Sequence, residues 1–314
     1  MVFPFFSDIE KAAETIAPYV ERTPVCSSEH INDLFEANIF FKCENLQKVG
    51  AFKFRGACNA VFSLSEDEAA KGVATHSSGN HGAALSLAGS LRGIPVHVVM
   101  PKNAPHIKIN NVAQYGAKIT LCEPTLDARE STLDKIMART GAVMIHPYND
   151  NRIICGQGTA ARELLLEHPE LDVIMAPIGG GGLISGTCIA SKGLNSNITV
   201  VGTEPKGADD AFQSLTAGNI IPQTNPQTMA DGLLTSLGDK TFPIIHTYVQ
   251  EIITVSEDTI IKAMRIVHEN LEMIIEPSSA VVLGGLLEKP EPFKGQKIGM
   301  ILTGGNADLN NLPW

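Results

Sequence analysis

An unbroken run of four glycines, Gly179 to Gly182, follows the apolar segment Val173 to Ile178 and precedes Leu183, Ile184, Ser185 and Gly186. Consecutive glycines expose successive N–H groups and let the main chain approach a ligand closely. A helix starting behind them adds the positive end of its dipole, so an anion, most often phosphate, is the expected guest. The run lacks the Lys-Ser or Lys-Thr ending of a P-loop and the G-x-G-x-x-G spacing of a dinucleotide fold. A turn without a ligand has no need of the ordering entropy that four glycines carry. A second segment supplies a reactive group: within Asn45 to Ala57, Lys53 stands between Phe52 and Phe54. An apolar surround disfavours the ammonium and makes the amine available as a nucleophile or Schiff-base partner. A helix-start lysine that extends its charge to water is the plainer reading of the same segment. Phosphate loop and lysine together answer to a phosphorylated aldehyde, and pyridoxal phosphate is the cofactor with both properties.

Three further places carry polar groups of interest. Ser77, Ser78, Gly79, Asn80, His81 and Gly82 follow the apolar run from Val73; such a turn presents N–H groups at a helix N-terminus to a carboxylate, or simply caps the helix. Arg129, in Asp127-Ala128-Arg129-Glu130, offers a fixed fork for a carboxylate or pairs with a nearby acid at a helix start. The segment Glu204 to Asp210 holds hard oxygen ligands suited to Mg2+ or Ca2+ once waters complete the shell. On the residues alone an acidic N-cap is its simpler reading.

The elements that must position these groups alternate. Ser7-Asp8-Ile9-Glu10 reads as a capping box, with Ile9, Ala12, Ala13, Ile16 and Val20 at helical spacing behind it. A short strand is expected over Ile39 to Lys42. Strands near Val73 to His76, Val96 to Met100, Lys118 to Leu121 and Val143 to Ile145 are separated by helices starting near His81, His106 and Arg129. A second series follows: helix Gly156 to Glu167, strand Val173 to Ile178, helix from Leu183, strand Thr199 to Thr203, helix Glu257 to Leu271 and strand Lys297 to Leu302. Ala217 to Thr228, rich in Pro, Asn, Gln and Thr, reads as a surface loop. The pattern is α/β, with two open, mostly parallel sheet lobes. Such sheets bind ligands outside the carboxyl ends of their strands, where Ser77 to Gly82, the tetraglycine, Glu204 and Thr303-Gly304-Gly305-Asn306 all fall.

Composition narrows the classes. A formal charge of −10 without a Lys/Arg-rich run argues against binding nucleic acid. The six cysteines are scattered without a C-x-x-C pair, which suits reduced thiols, and the nine histidines form no H-E-x-x-H. No apolar stretch reaches membrane-spanning length, and the N-terminus has no cleavable leader pattern, so a cytoplasmic protein without an appended regulatory domain is expected.

The segment around Lys53, Ser77 to Gly82, the tetraglycine and Thr303 to Asn306 resemble, in the same order and over nearly the whole chain, the fold-type II pyridoxal-phosphate enzymes of the serine racemase and serine/threonine dehydratase family. The resemblance implies a tryptophan-synthase-β-like fold: a large cofactor domain (1–71 and 149–314) and a small domain (72–148) mobile over the substrate. By the same resemblance Lys53 would carry the cofactor as a Schiff base beside Phe52. Gly179, Gly180, Gly181, Gly182 and Leu183 would hold its phosphate, Asn80 would meet the ring hydroxyl, and Thr303 would face the ring nitrogen where many racemases have serine. A hydroxyl there, unlike an aspartate, need not keep the nitrogen protonated, which disfavours transamination. Ser77, Ser78, Gly79, Asn80, His81 and Arg129 would bind the amino-acid substrate. Glu204, the Ala208 carbonyl and Asp210 match a divalent-metal site (Mg2+, or Ca2+ or Mn2+). A homodimer and a nucleotide effector are also implied.

For the chemistry, Lys53 would take the α-proton from one face of the bound amino acid. Ser78 supplying a proton on the opposite face gives the enantiomer; loss of the β-hydroxyl gives pyruvate and ammonia. The expected activity is serine racemisation with β-elimination. A threonine or threo-3-hydroxyaspartate dehydratase is the alternative, since Arg129 could take a second carboxylate. A non-catalytic phosphate-ligand sensor, with Lys53 only a charge partner, is the reading from another class.

Overall fold

A computed structural model describes residues 3–77, 79–309 and 311–314. In chain order the elements are α1 (Phe6–Ile16), β1 (Val25–Cys26), α2 (Glu29–Phe35), β2 (Asn38–Cys43), α3 (Lys53–Phe62), α4 (Glu66–Lys71), β3 (Val73–His76) and α5 (Asn80–Arg92). Then come β4 (Val96–Pro101), α6 (His106–Ala113), β5 (Lys118–Cys122), α7 (Leu126–Thr140), β6 (Val143–Met144), α8 (Asn151–Glu167), β7 (Val173–Pro177) and α9 (Gly182–Leu194). The chain finishes with β8 (Thr199–Pro205), α10 (Asp210–Ala217), α11 (Thr241–Tyr248), β9 (Val249–Val255), α12 (Glu257–Leu271), α13 (Pro277–Glu288) and β10 (Lys297–Leu302). The strands form two sheets, ordered β1-β2-β10-β7-β8-β9 and β5-β4-β3-β6. Every pairing is parallel except that of β1 with β2. The chain is therefore α/β with two mostly parallel sheets, as its alternating pattern indicates.

Local signals explain most boundaries, and three expected starts move. Helix α1 begins at Phe6: the Asp8 carboxylate accepts the Phe5 N–H at 2.7 Å, so Asp8 rather than Ser7 supplies the cap. Helix α7 starts at Leu126 rather than Arg129, because the Thr125 hydroxyl accepts the Ala128 N–H at 3.2 Å. Helix α8 starts at Asn151 rather than Gly156, under an Asp150 carboxylate that accepts from Arg152 N–H at 2.8 Å. Helix α12 and strand β10 have the bounds expected of them.

Helix α3, which opens with Lys53, is anchored on two sides. Its Phe54, Ala57, Cys58 and Val61 join Leu85 of α5 and Val98 of β4 in one buried cluster. Against α8 it approaches at backbone contact: a Cβ on Gly156 would lie 2.6 Å from the Gly56 Cα and 2.7 Å from the Arg55 carbonyl oxygen, so position 156 needs glycine for the helices to cross this closely. Beneath the first turn, fully buried Arg55 reaches Glu44 through Nε at 2.7 Å and Glu163 through Nη1 at 2.8 Å. Glu163 also takes the buried Lys42 ammonium at 2.6 Å. Removing one partner of such a network costs about 3–5 kcal/mol because a buried charge is left uncompensated. Position 53 therefore sits on a rigid support.

Candidate active site

Lys53 is the first residue of α3, and its amine donates to the Pro147 carbonyl at 3.0 Å while lying 5.1 Å from the centre of the Phe52 ring. The residue is half-buried, yet its nitrogen lies deep enough for loss of hydration to lower its pKa to about 8, against an opposing pull from the Glu276 carboxylate. The positive end of α3 acts in the same direction as burial. The plainer reading, a lysine extending to water, is not what the structure shows.

Pro147 ties this amine to the glycine run. The next residue, Tyr148, lies on Gly180, where an added Cβ would come within 2.3 Å of the ring, and on Gly182, where it would come within 3.0 Å of the Tyr148 Cα. Gly181 has φ +86°, a left-handed conformation that favours glycine, and the Thr241 hydroxyl donates to the Gly180 carbonyl at 2.8 Å. Helix α9 begins at Gly182 without a side-chain cap, so the N–H groups of its first turn, Leu183 included, remain for an anion.

The other sheet brings its strand ends to the same place. His81, after β3, is buried, its Nε2 3.2 Å from the Ile145 carbonyl; burial, followed by the Lys53 charge, pushes its pKa down to about 3. His146, after β6, is pushed down to about 4 by burial, then by His76 and Lys53. Both imidazoles are neutral at physiological pH. The Asn80 amide donates to both oxygens of Glu276, at 3.0 and 3.1 Å, and Glu276 is itself buried, with its pKa raised to about 7 mainly by burial. Thr303 is buried, and its carbonyl accepts the Phe52 N–H at 3.0 Å, which sets it beside Lys53 in the chain's approach to α3. The Ser77 hydroxyl accepts from Gly79 N–H at 3.4 Å and Gly82 N–H at 3.2 Å, while the N-cap residue of α5, Gly79, supplies no side-chain cap. Ser78 lies outside the described residues. Arg129, in the first turn of α7, is half-buried, has no hydrogen-bond partner at Nε and acts electrostatically on His76.

The acidic cluster is adjacent but separate. Glu204 is fully buried and accepts from Ala211 N–H at 3.1 Å and Phe212 N–H at 2.9 Å, as an acidic cap of α10 would. Asp210 accepts from Leu237 N–H at 3.2 Å, but its buried Oδ1 has no partner. Burial drives both carboxyls up, Glu204 well above its ordinary value and Asp210 to about 6. Two buried carboxyl groups, one with an unpartnered oxygen, together with buried Ala208, are oxygen donors of the kind a hard cation takes. Among the described residues no group of three or more His, Cys, Asp or Glu side chains gathers for a metal, so a main-chain carbonyl would have to complete the set.

Tyr148, His146 and Glu276 were not singled out from the sequence. His146-Pro147-Tyr148 follows an apolar strand in the same manner as Ser77 to Gly82. Glu276-Pro277 carries the proline at a helix start that marks α13.

A buried amine of lowered pKa, tied through Pro147 and Tyr148 to an uncapped, glycine-lined helix start at the strand ends, is the arrangement of a fold-type II pyridoxal-phosphate enzyme. The sequence profile of the family described as "Pyridoxal-phosphate dependent enzyme" matches residues 16–304, and the chain belongs to that family, in its serine racemase and serine/threonine dehydratase branch. It is 51% identical to a β-hydroxyaspartate dehydratase of Paracoccus denitrificans, over 100% of both chains. It is 50% identical to a serine racemase of Arabidopsis thaliana, over 97% of this chain and 93% of the other. The crystal structure of Dictyostelium discoideum serine racemase superposes with a TM-score of 0.94 at 48% identity, covering 97% of this chain and 99% of that one. The residues present fit the cofactor: the amine, the side-chain-free cradle and the uncapped helix are the features it requires.

Proposed function

We propose that this enzyme is a serine racemase that also eliminates water from serine, releasing pyruvate and ammonia. The observation that carries the reading is the Lys53 amine, with its pKa lowered to about 8 and its Nζ 3.0 Å from the carbonyl of Pro147, next to the residue that covers the glycine run. Pyridoxal phosphate, when bound, supplies the electron withdrawal that acidifies the substrate Cα–H. The chain's own residues do the rest. Gly179 to Gly182 and Leu183 hold the phosphate, Asn80 and Thr303 orient the ring, and the turn from Ser77 to His81 holds the substrate carboxylate. Lys53 takes the α-proton on one face, its low pKa letting a useful fraction of free amine exist near neutrality. Ser78 returns a proton on the other face, with water or another group assisting a hydroxyl that is by itself a poor acid. Residues 72–148 move over the substrate relative to 1–71 and 149–314. Glu204, Asp210 and the Ala208 carbonyl hold Mg2+ or a similar ion beside the cofactor rather than in the chemistry. Assembly as a homodimer and response to a nucleotide belong to the same reading.

Arg129 and His76 favour a second reading, a dehydratase for 3-hydroxyaspartate, because an unpaired guanidinium nitrogen next to an imidazole suits a second substrate carboxylate. Borohydride treatment of the yellow holoenzyme, followed by peptide mapping, should label Lys53. Ser78→Ala should abolish D-serine formation while part of pyruvate formation persists. Equal loss of both from a folded, cofactor-loaded protein removes the two-face role. Turnover of 3-hydroxyaspartate well above that of serine decides for the second reading.

A further inference from the structure

The Asn80 side chain is held at both ends by residues of the other sheet. Its Nδ2 donates to Glu276 Oε1 at 3.0 Å and Oε2 at 3.1 Å, and its Oδ1 accepts from Asn306 Nδ2 at 2.9 Å. Asn80 opens α5 beside β3, of the four-stranded sheet; Glu276 immediately precedes α13 and Asn306 follows β10, on the side of the six-stranded one. An ionised carboxylate only accepts, so it fixes which way round the amide lies: NH2 toward Glu276, oxygen toward Asn306. With one N–H committed to the carboxylate, the amide keeps the other for a ligand.

Glu276 is in turn held firmly. Its N–H donates to the Gly304 carbonyl at 3.0 Å, and its own carbonyl receives Ser279 N–H at 2.9 Å and Ala280 N–H at 3.2 Å. Gly304 must lack a side chain, since a Cβ there would lie 2.5 Å from Glu276 Oε1. The charged groups facing it are Lys53 from α3, Lys108 from α6 and Asp231 from the short turn before α11. Lys108 and Asp231 also pair with each other across the two sheets. A carboxyl so placed has no cap to make, for α13 receives no side-chain hydrogen bond from it. Its hydrogen bonds run to the Asn80 amide and to the Asn306 N–H.

We propose that Glu276 is a positioning residue: its carboxyl sets the amide of Asn80 across the boundary between the sheets, so that the lobes must be together for Asn80 to be aimed at the cofactor ring. The proposal rests on the reading that Asn80 meets the ring hydroxyl. Protonation of Glu276 removes one acceptor and frees the amide to turn, so the device is sensitive to pH around the neutral value to which burial brings this carboxyl.

The test uses cofactor-loaded Glu276→Gln, Asn80→Ala and the double variant, read by cofactor fluorescence titration and by the pH dependence of the bound cofactor's visible absorption. Glu276→Gln and Asn80→Ala should each weaken cofactor binding about tenfold. The double variant should be no weaker than Asn80→Ala alone, as expected of residues that act through one another. Wild type should show a neutral-range spectral transition that Glu276→Gln lacks. Effects that multiply, or a spectral titration unchanged in Glu276→Gln, overturn the proposal. Unchanged affinity and spectrum in Asn80→Ala overturn both it and the placing of Asn80 at the ring. Should Glu276→Gln not fold, Glu276→Asp keeps the charge but draws it back by one methylene. A similar loss of affinity supports the positioning role, and wild-type affinity rejects it.

Discussion

Gly180→Ala isolates what the glycine run contributes. No left-handed torsion is needed at Gly180, so alanine can adopt its backbone, and the whole effect comes from one methyl group. That Cβ would stand 2.3, 2.3 and 2.4 Å from three carbons of the Tyr148 ring. Carbon contacts become comfortable at about 3.5 Å, so the ring must retreat by roughly 1.2 Å. It has little freedom to do so. The His146 ring packs edge-on at 4.5 Å, and His146 Nδ1 accepts Asn149 N–H at 2.9 Å. The Asn149 side chain is itself tied to Asp239 at 2.6 Å and to Lys240 N–H at 2.9 Å. Overpacking at a site that cannot relax costs about 1–3 kcal/mol, and because Pro147 in the same turn holds the Lys53 amine, the displacement reaches the reactive group. Cofactor affinity, measured by fluorescence titration of the apoprotein, should fall about five- to hundredfold. Tyr148→Ala in the same chain should restore most of the loss, with a coupling of at least about 1 kcal/mol between the two positions. Affinity within twofold of wild type in Gly180→Ala, or no recovery in the double variant, would refute the claim that the ring and the loop are packed as one unit.

The titration of Lys53 gives a signed prediction for the cofactor-free protein. Folding lowers its pKa from 10.5 to about 8, so the charge is a penalty fully present below pH 8 and removed as pH rises to 10.5. Lys53→Met should therefore be more stable than wild type at pH 7, by up to about 3 kcal/mol at 1.4 kcal/mol per unit, with urea melts showing the gap closing toward pH 10.5. Arg55→Met leaves buried Glu44 without its guanidinium partner; about 3–5 kcal/mol of stability should be lost in equilibrium unfolding, and cofactor affinity should fall with it if α3 is the support of Lys53. A chelator should lower the melting temperature of wild type, since an ion present at about a hundred times its Kd contributes roughly 2.7 kcal/mol. Asp210→Asn should melt at one temperature with or without the chelator.

Most of the framework was legible in the sequence because its signals are local. The alternation of apolar runs and helical periods places β3, β4, β5, β7, β8 and β10 to within a residue or two. The tetraglycine and the Phe-flanked lysine announce themselves without tertiary information. Helix starts were harder, because a cap is one hydrogen bond that several neighbouring residues could make: Asp8 took it from Ser7, and Thr125 and Asp150 extended two helices backward. The strand β9 and helix α13 carried weaker marks. Val249–Val255 is broken by Gln250 and Glu251, and α13 is apolar on all sides because it is buried, so neither shows a clean period.

The residues that join the two sheets were illegible for a different reason. Asn80 meets Glu276 across 196 positions of chain and Asn306 across 226, and no spacing rule spans such distances. A buried glutamate is costly unless something compensates it, but the sequence around Glu276, with its proline and two serines, looks like an ordinary helix start. What distinguishes it is that the hydrogen-bonding capacity a capping carboxylate would spend on α13 is spent instead on the Asn80 amide and the Asn306 N–H. Proximity to a strand end marks where chemistry happens in this fold; which of the groups there set the positions of others is decided by contacts between the lobes, and only the folded chain contains them.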